Sequence, residues 1–181
     1  MKPSKSWQSA GIPAGYDWPK LIFNAASETL VVELRAIRSD YSPSRLFARH
    51  KDAISYEPIG TPAEDISYES AVTCEARPLV VFNSTRSSRH RSGRDWVSLC
   101  VFNLQTHELS PLVWSGRLTL PEPYNDLQIS KLIRLSDSGD SLCLTVGLRW
   151  LNQMRVDSYL AQLDLAEMNL QLVSRLSDTL F

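Results

Sequence analysis

The sequence predicts a mainly β domain assembled from three imperfect copies of one four-strand unit. Three observations lead there. Apolar runs are broken by short polar turns, the same order of strand and turn recurs in three stretches, and the two halves of each stretch are similarly spaced.

Residues 1–20 come first. They hold three prolines and two glycines without a helical or alternating period, so an extended N-terminal arm is expected, with Trp7, Tyr16 and Trp18 available for packing. The remainder, 21–181, is expected to be a single β-rich domain with repeats at about 21–60, 66–114 and 127–175.

Each repeat opens with an apolar segment, a polar turn and a β-rich run. In copy one, Leu21–Phe23 leads through Asn24–Glu28 to Thr29–Leu34. In copy two, Ser70–Thr73 leads through Cys74–Pro78 to Leu79–Phe82. In copy three, Leu132–Leu135 leads through Ser136–Asp140 to Ser141–Val146. The third turn has the strongest chemistry: its serine and aspartate side chains cap backbone groups, and Gly139 tolerates positive φ.

The second half of each repeat is a strand, a turn and a returning strand. Val97–Leu104, Gln105–Glu108 and Leu109–Val113 are matched closely by Ser158–Leu165, Ala166–Asn169 and Leu170–Val173. Arg45–His50 followed by Ala53–Ile59 is a weaker copy. Leu30 precedes Leu46 by 16 residues, Leu79 precedes Leu99 by 20, and Leu142 precedes Leu160 by 18. Four short strands per unit is the size of one propeller blade. Two alternatives stay open: a twisted β-sandwich, and an α+β fold in which Ser158–Val173 is a C-terminal amphipathic helix, since its leucines partly fit a helical period.

The run Ile133–Leu144, with Ser136-Asp137-Ser138-Gly139-Asp140 at its centre, resembles the Ser-Pro-Asp-Gly strand-turn-strand signature of WD40-like blades in TolB and prolyl oligopeptidase propellers. Tyr159–Leu165 is similar to the apolar strand, ending near an Asp, that follows in those blades. The proline of the signature is missing here, and copies one and two lack the Asp-Gly pair. The resemblance implies a scaffold whose edges, rim and channel bind other molecules; it implies no reaction. Three blades are too few to close a ring, so a partial or partner-completed propeller is expected, with sheet edges that seek partners.

Composition narrows the function. Of 181 residues, 43% are hydrophobic and 22% charged, which is enough to build a core. Lys and Arg total 19 against 20 Asp and Glu, so no global field gathers nucleic acid or anionic lipid. No apolar core follows the basic first residues, and no run approaches the roughly 18 residues of a membrane span. A cytoplasmic protein with no membrane partner is expected. Cys74, Cys100 and Cys143 are far apart, as buried apolar thiols would be, and form neither a disulfide framework nor a metal knuckle.

No catalytic residue, cofactor or metal ligand is identifiable. His50, His90 and His107 fall in turns without acidic or thiol neighbours at ligand spacing, and the acidic group Glu57, Glu64, Asp65 and Glu69 lies in a Pro- and Gly-containing connection. Hydrolase elbows and phosphate loops are absent from the sequence. The outstanding local feature is the loop carrying Arg86, Arg89, His90, Arg91 and Arg94. It suits an acidic protein surface better than nucleic acid, because no aromatic is interleaved to stack on bases. Trp114 and Trp150, beside Arg117 and Arg149, are candidates for an exposed binding edge. The expected function is therefore a non-enzymatic protein-binding module, an adaptor or complex subunit that also has homo-oligomer formation open to it. The alternatives are an inhibitor or immunity protein that neutralises a toxin, and a small-ligand-binding protein or enzyme with a pocket at the strand ends.

Overall fold

In a computed structural model of the chain, residues 16–36, 43–60, 66–86, 97–112, 120, 122–150 and 155–176 are described. They form twelve strands in three four-stranded antiparallel sheets, each built from consecutive strands. The first holds β1 (Tyr16–Asn24), β2 (Thr29–Ala36), β3 (Arg45–His50) and β4 (Glu57–Pro58). The second holds β5 (Ile66–Thr73), β6 (Leu79–Arg86), β7 (Val97–Asn103) and β8 (Leu109–Leu112). The third holds β9 (Tyr124–Leu135), β10 (Ser141–Trp150), β11 (Val156–Asp164) and β12 (Asn169–Arg175). Among the described residues there is no helix, and so none long and apolar enough to cross a membrane.

Each sheet carries the strand and turn order expected of one repeat, the helical alternative for Ser158–Val173 is not realised, and two strand boundaries differ from expectation. Ser158–Val173 is not helical: it is divided between β11 and β12, because Asp157, Tyr159, Ala161 and Leu163 alternate onto one face and pair across to β10. The strand β1 begins at Tyr16, inside the stretch expected to be an arm. Its register slips between Asp17 and Lys20, where Pro19 has no N–H to give the ladder, and pairing resumes at Lys20↔Glu33. The last strand of the first unit shrinks to Glu57–Pro58, again at a proline.

Turn chemistry fixes the hairpins. The Asn103 side-chain oxygen accepts from the N–H of Gln105 and Thr106 (2.8 and 3.1 Å), and Asp164 does the same for Ala166 and Glu167 (2.9 and 2.8 Å). Four residues after each of these, His107 and Met168 take positive φ. Asn24, capping Ser27, is likewise followed four residues later by Glu28 at φ 49°. In the turn of the third sheet, Gly139 sits at φ +78° and the Ser136 hydroxyl accepts from Asp140 and Ser141 N–H.

The second sheet lies between the other two. Val80, Val81 and Phe82 are all fully buried, so both faces of β6 are covered. Val80 and Phe82 join Val31, Leu46 and Ile59 of the first sheet in one core, while Val81 and Leu99 join Leu142, Leu144, Val146 and Leu148 of the third sheet in another. The third sheet is one-sided: along β10 those apolar residues alternate with the half-exposed Ser141, Cys143 and Thr145. Strand β5 runs beside both β1 and β9, so the first strands of the sheets adjoin.

Candidate functional site

Strand alternation places Asp157 of β11 on the inward face of the third sheet, and the register sets it opposite Leu148, with Tyr159 opposite Val146 and Tyr124 opposite Trp150. The carboxylate is 2% exposed and fully occupied. Its Oδ2 accepts from the Trp150 indole N–H (2.8 Å) and the Tyr124 hydroxyl (3.0 Å); its Oδ1 accepts from Arg155 Nε (3.0 Å) and Arg175 Nη2 (2.9 Å). Tyr124 and Tyr159 share a hydrogen bond of 2.8 Å between hydroxyls, and the Arg155 guanidinium lies 4.9 Å from the centre of the Trp150 ring.

Burial by itself would raise the Asp157 pKa, but donation from Trp150, Arg155 and Tyr124 and the charge of Arg155 hold it below the usual carboxylate range. The Tyr124 hydroxyl moves the other way, raised by burial and by its bonds to Tyr159 and Asp157, so it stays protonated and donates. With both oxygens engaged, this aspartate is a fastener joining all four strands of the third sheet.

The other face of the third sheet holds an open cleft of about 360 Å³ lined by Arg134, Ser136, Asp137, Ser141, Cys143 and Gln162. Gln162 donates to the Ser141 hydroxyl (2.7 Å), and Arg134 pairs with Asp137 (3.2 Å). The described large apolar side chains that remain exposed fall on the two outer sheets. Leu21, Phe23 and Ile54 belong to the first sheet and its loop; Ile133, Val156, Val173 and Leu176 belong to the third sheet and its end.

Two seams join the sheets through equivalent hairpin positions. Asn24 is completely buried, and its Nδ2 donates to the carbonyls of Cys74 (2.8 Å) and Arg77 (2.9 Å). One sheet further on, the Cys74 thiol donates to the carbonyls of Ser136 (3.3 Å) and Asp137 (3.1 Å), and Arg77 pairs with Asp140 at 3.5 Å. Glu33, also buried, accepts from Ala71 N–H across the first seam and pairs with Lys20.

Of the residues singled out from the sequence, Arg86 ends β6, opposite Ile66. Arg89, His90, Arg91, Arg94 and Trp114 lie outside the described residues, as do Glu64 and Asp65. Trp150 is half-buried, with its N–H and one ring face committed to Asp157 and Arg155. Cys74 and Cys100 are buried, whereas Cys143 is half-exposed in the cleft. His50 is exposed as the last residue of β3 and His107 is exposed in a turn, and the described residues hold no group of three or more His, Cys, Asp or Glu able to ligate a metal. Sequence reasoning missed Asp157; the available signal was a charged residue at the inward position of a strand otherwise carrying Tyr159, Ala161 and Leu163 there.

No family model matches the chain, and no curated protein matches it. Among solved structures it is similar to an oligogalacturonate lyase in complex with manganese, with 10% sequence identity and a TM-score of 0.52. The match covers 85% of this chain and 38% of that one, so the chain spans under two-fifths of its neighbour's length. The likeness is one of fold: three four-stranded antiparallel sheets in a propeller-like arrangement.

Proposed function

We propose that this chain is a non-enzymatic protein-binding module, an adaptor or complex subunit whose partners dock on its outer sheets and loops. The observation that supports this most directly is the distribution of exposed large apolar side chains. They lie on the first and third sheets, while the second sheet buries Val80, Val81 and Phe82 completely. A stack of sheets exposes apolar side chains where another layer can still be added.

The basic residues Arg86, Arg89, His90, Arg91 and Arg94 of the sequence favour an acidic protein partner. At 10% identity the lyase gives a likeness of fold and no residue from which to argue its chemistry.

The test is affinity capture with the wild-type chain and with Phe23→Glu and Arg86→Ser/Arg89→Ser variants whose folding is verified by circular dichroism. Retention of one defined protein by the wild type, weakened in the variants, is expected. A purified chain that retains no protein and carries a stoichiometric small molecule would overturn the reading.

A further inference from the structure

We propose that the cleft on the third sheet receives the first hairpin, residues 24–29, of a second copy of this chain; this deepens the protein-binding reading and rests on it. The argument starts from the two seams. Asn24 pairs with Thr29, Cys74 N–H donates to the Leu79 carbonyl (3.1 Å), and Ser136 N–H donates to the Ser141 carbonyl (2.8 Å), so these three residues hold the same position at the base of the first hairpin in each sheet. At each seam the side chain at this position donates to carbonyls of the next sheet's hairpin: Asn24 to Cys74 and Arg77, then Cys74 to Ser136 and Asp137. The second hairpin thus accepts from the first and donates to the third.

The third hairpin has the donor position and no further described sheet beyond it. Ser136 lines the open cleft, and its hydroxyl accepts from Asp140 and Ser141 N–H and lies 3.1 Å from the exposed Ser138 hydroxyl, a contact in which either hydroxyl can donate. The first hairpin has the acceptor position and no described sheet before it. Donor and acceptor ends of one repeating contact are therefore both present on one chain, which is the requirement for a head-to-tail contact between copies.

Charge and apolar surface agree with this occupant. Glu28, which pairs with Lys51, holds the position of Asp140, the carboxylate that pairs with Arg77 across the second seam, and Arg134, paired with Asp137, carries an exposed guanidinium at the cleft that can take a second carboxylate. Leu21 and Phe23 are 50% and 60% exposed beside the first hairpin, and Ile133 is 46% exposed beside the third. The centre of the outer face of the first sheet is already covered, with Val32 fully buried and Phe47 6% exposed. The contact is accordingly confined to the hairpin ends, and so small an interface is expected to associate weakly, on the order of 10⁻⁶–10⁻⁵ M.

Light scattering across that concentration range and disulfide trapping test the contact. Across the second seam the Leu79 side chain lies 3.2 Å from where a Cβ on Gly139 would be. The equivalent residues at the new seam are Ser141 and Ser27, so in a Cys143→Ser background a Ser27→Cys chain mixed with a Ser141→Cys chain is expected to form a disulfide-linked pair on mild oxidation, while neither alone does. The mass should rise above that of one chain with concentration, and Phe23→Glu should weaken association about tenfold. A constant single-chain mass without trapping overturns the second copy as occupant. If the chain is then still captured by a defined protein in a Phe23-dependent way, the protein-binding reading stands without self-association; if not, both fall.

Discussion

Replacing Asp157 by Ala removes an acceptor that serves four donors at once. Arg155 and Arg175 are half-exposed, with 49% and 46% of their side chains accessible, so water and salt screen them and their share is small, on the order of 0.5 kcal/mol each. The indole of Trp150 and the hydroxyl of Tyr124 are part-buried and lose a charged acceptor, which costs about 1–1.5 kcal/mol each. The expected loss is thus about 3–4 kcal/mol, and for a chain of this size each kcal/mol moves Tm by roughly 2–4 °C. Thermal unfolding followed by circular dichroism should show Asp157→Ala melting about 6–16 °C below wild type.

The pH profile is a second readout of the same carboxylate. The folded pKa lies below the unfolded one, so the contribution of Asp157 is complete above the unfolded carboxylate pKa and disappears as pH falls through the folded value. Asp157→Asn keeps the shape and one acceptor oxygen but cannot lose this acid-dependent part. Its stability should fall less steeply than wild type below about pH 4. A drop in Tm under about 3 °C for the Ala variant, together with an unchanged acid limb for the Asn variant, would refute the assignment of Asp157 as the fastener of the third sheet.

Asn24→Ala should cost about 2–3 kcal/mol in urea unfolding, because the carbonyls of Cys74 and Arg77 lose their donor and Ser27 loses its cap; a loss below about 0.5 kcal/mol would contradict its role as the pin of the first seam. Gly139→Val forces a β-branched residue to φ +78° against Leu79 and Arg77, and a destabilisation of about 2 kcal/mol or more is expected by the same measurement. Burial pushes the Cys100 thiol up to about 11, so iodoacetamide at pH 8 should label half-exposed Cys143 first and Cys100 only on unfolding, as peptide mapping by mass spectrometry will show. Phe82→Ala removes a fully buried ring shared by the first two sheets and should cost about 3–5 kcal/mol, with the mutant melting well before wild type in calorimetry.

The regular elements were legible because their causes are local. Alternation along Ser141–Leu148 and the turn residues Asn103, Gly139 and Asp164 act within a few residues, and the hairpins they specify are present. The leucine spacing of Ser158–Val173 was ambiguous between periods of 2 and 3.6; a neighbouring strand to pair with removed the ambiguity. Likewise Trp150 beside Arg149 reads as a binding edge, because nothing local reveals that an acceptor seven residues onward will take its N–H.

The amino-acid order by itself determined three strand-rich units, their turns and an all-antiparallel arrangement, since each depends on backbone preferences and side-chain period over short stretches. Only the tertiary structure decided that Asp157 gathers donors from β9, β10 and β12 and that Asn24 caps a hairpin 50 residues away. It also decided that the third sheet turns a cleft outward. Such contacts depend on which sheet faces come together in space, and a chain carries no local mark of the distant residue that burial will bring beside it.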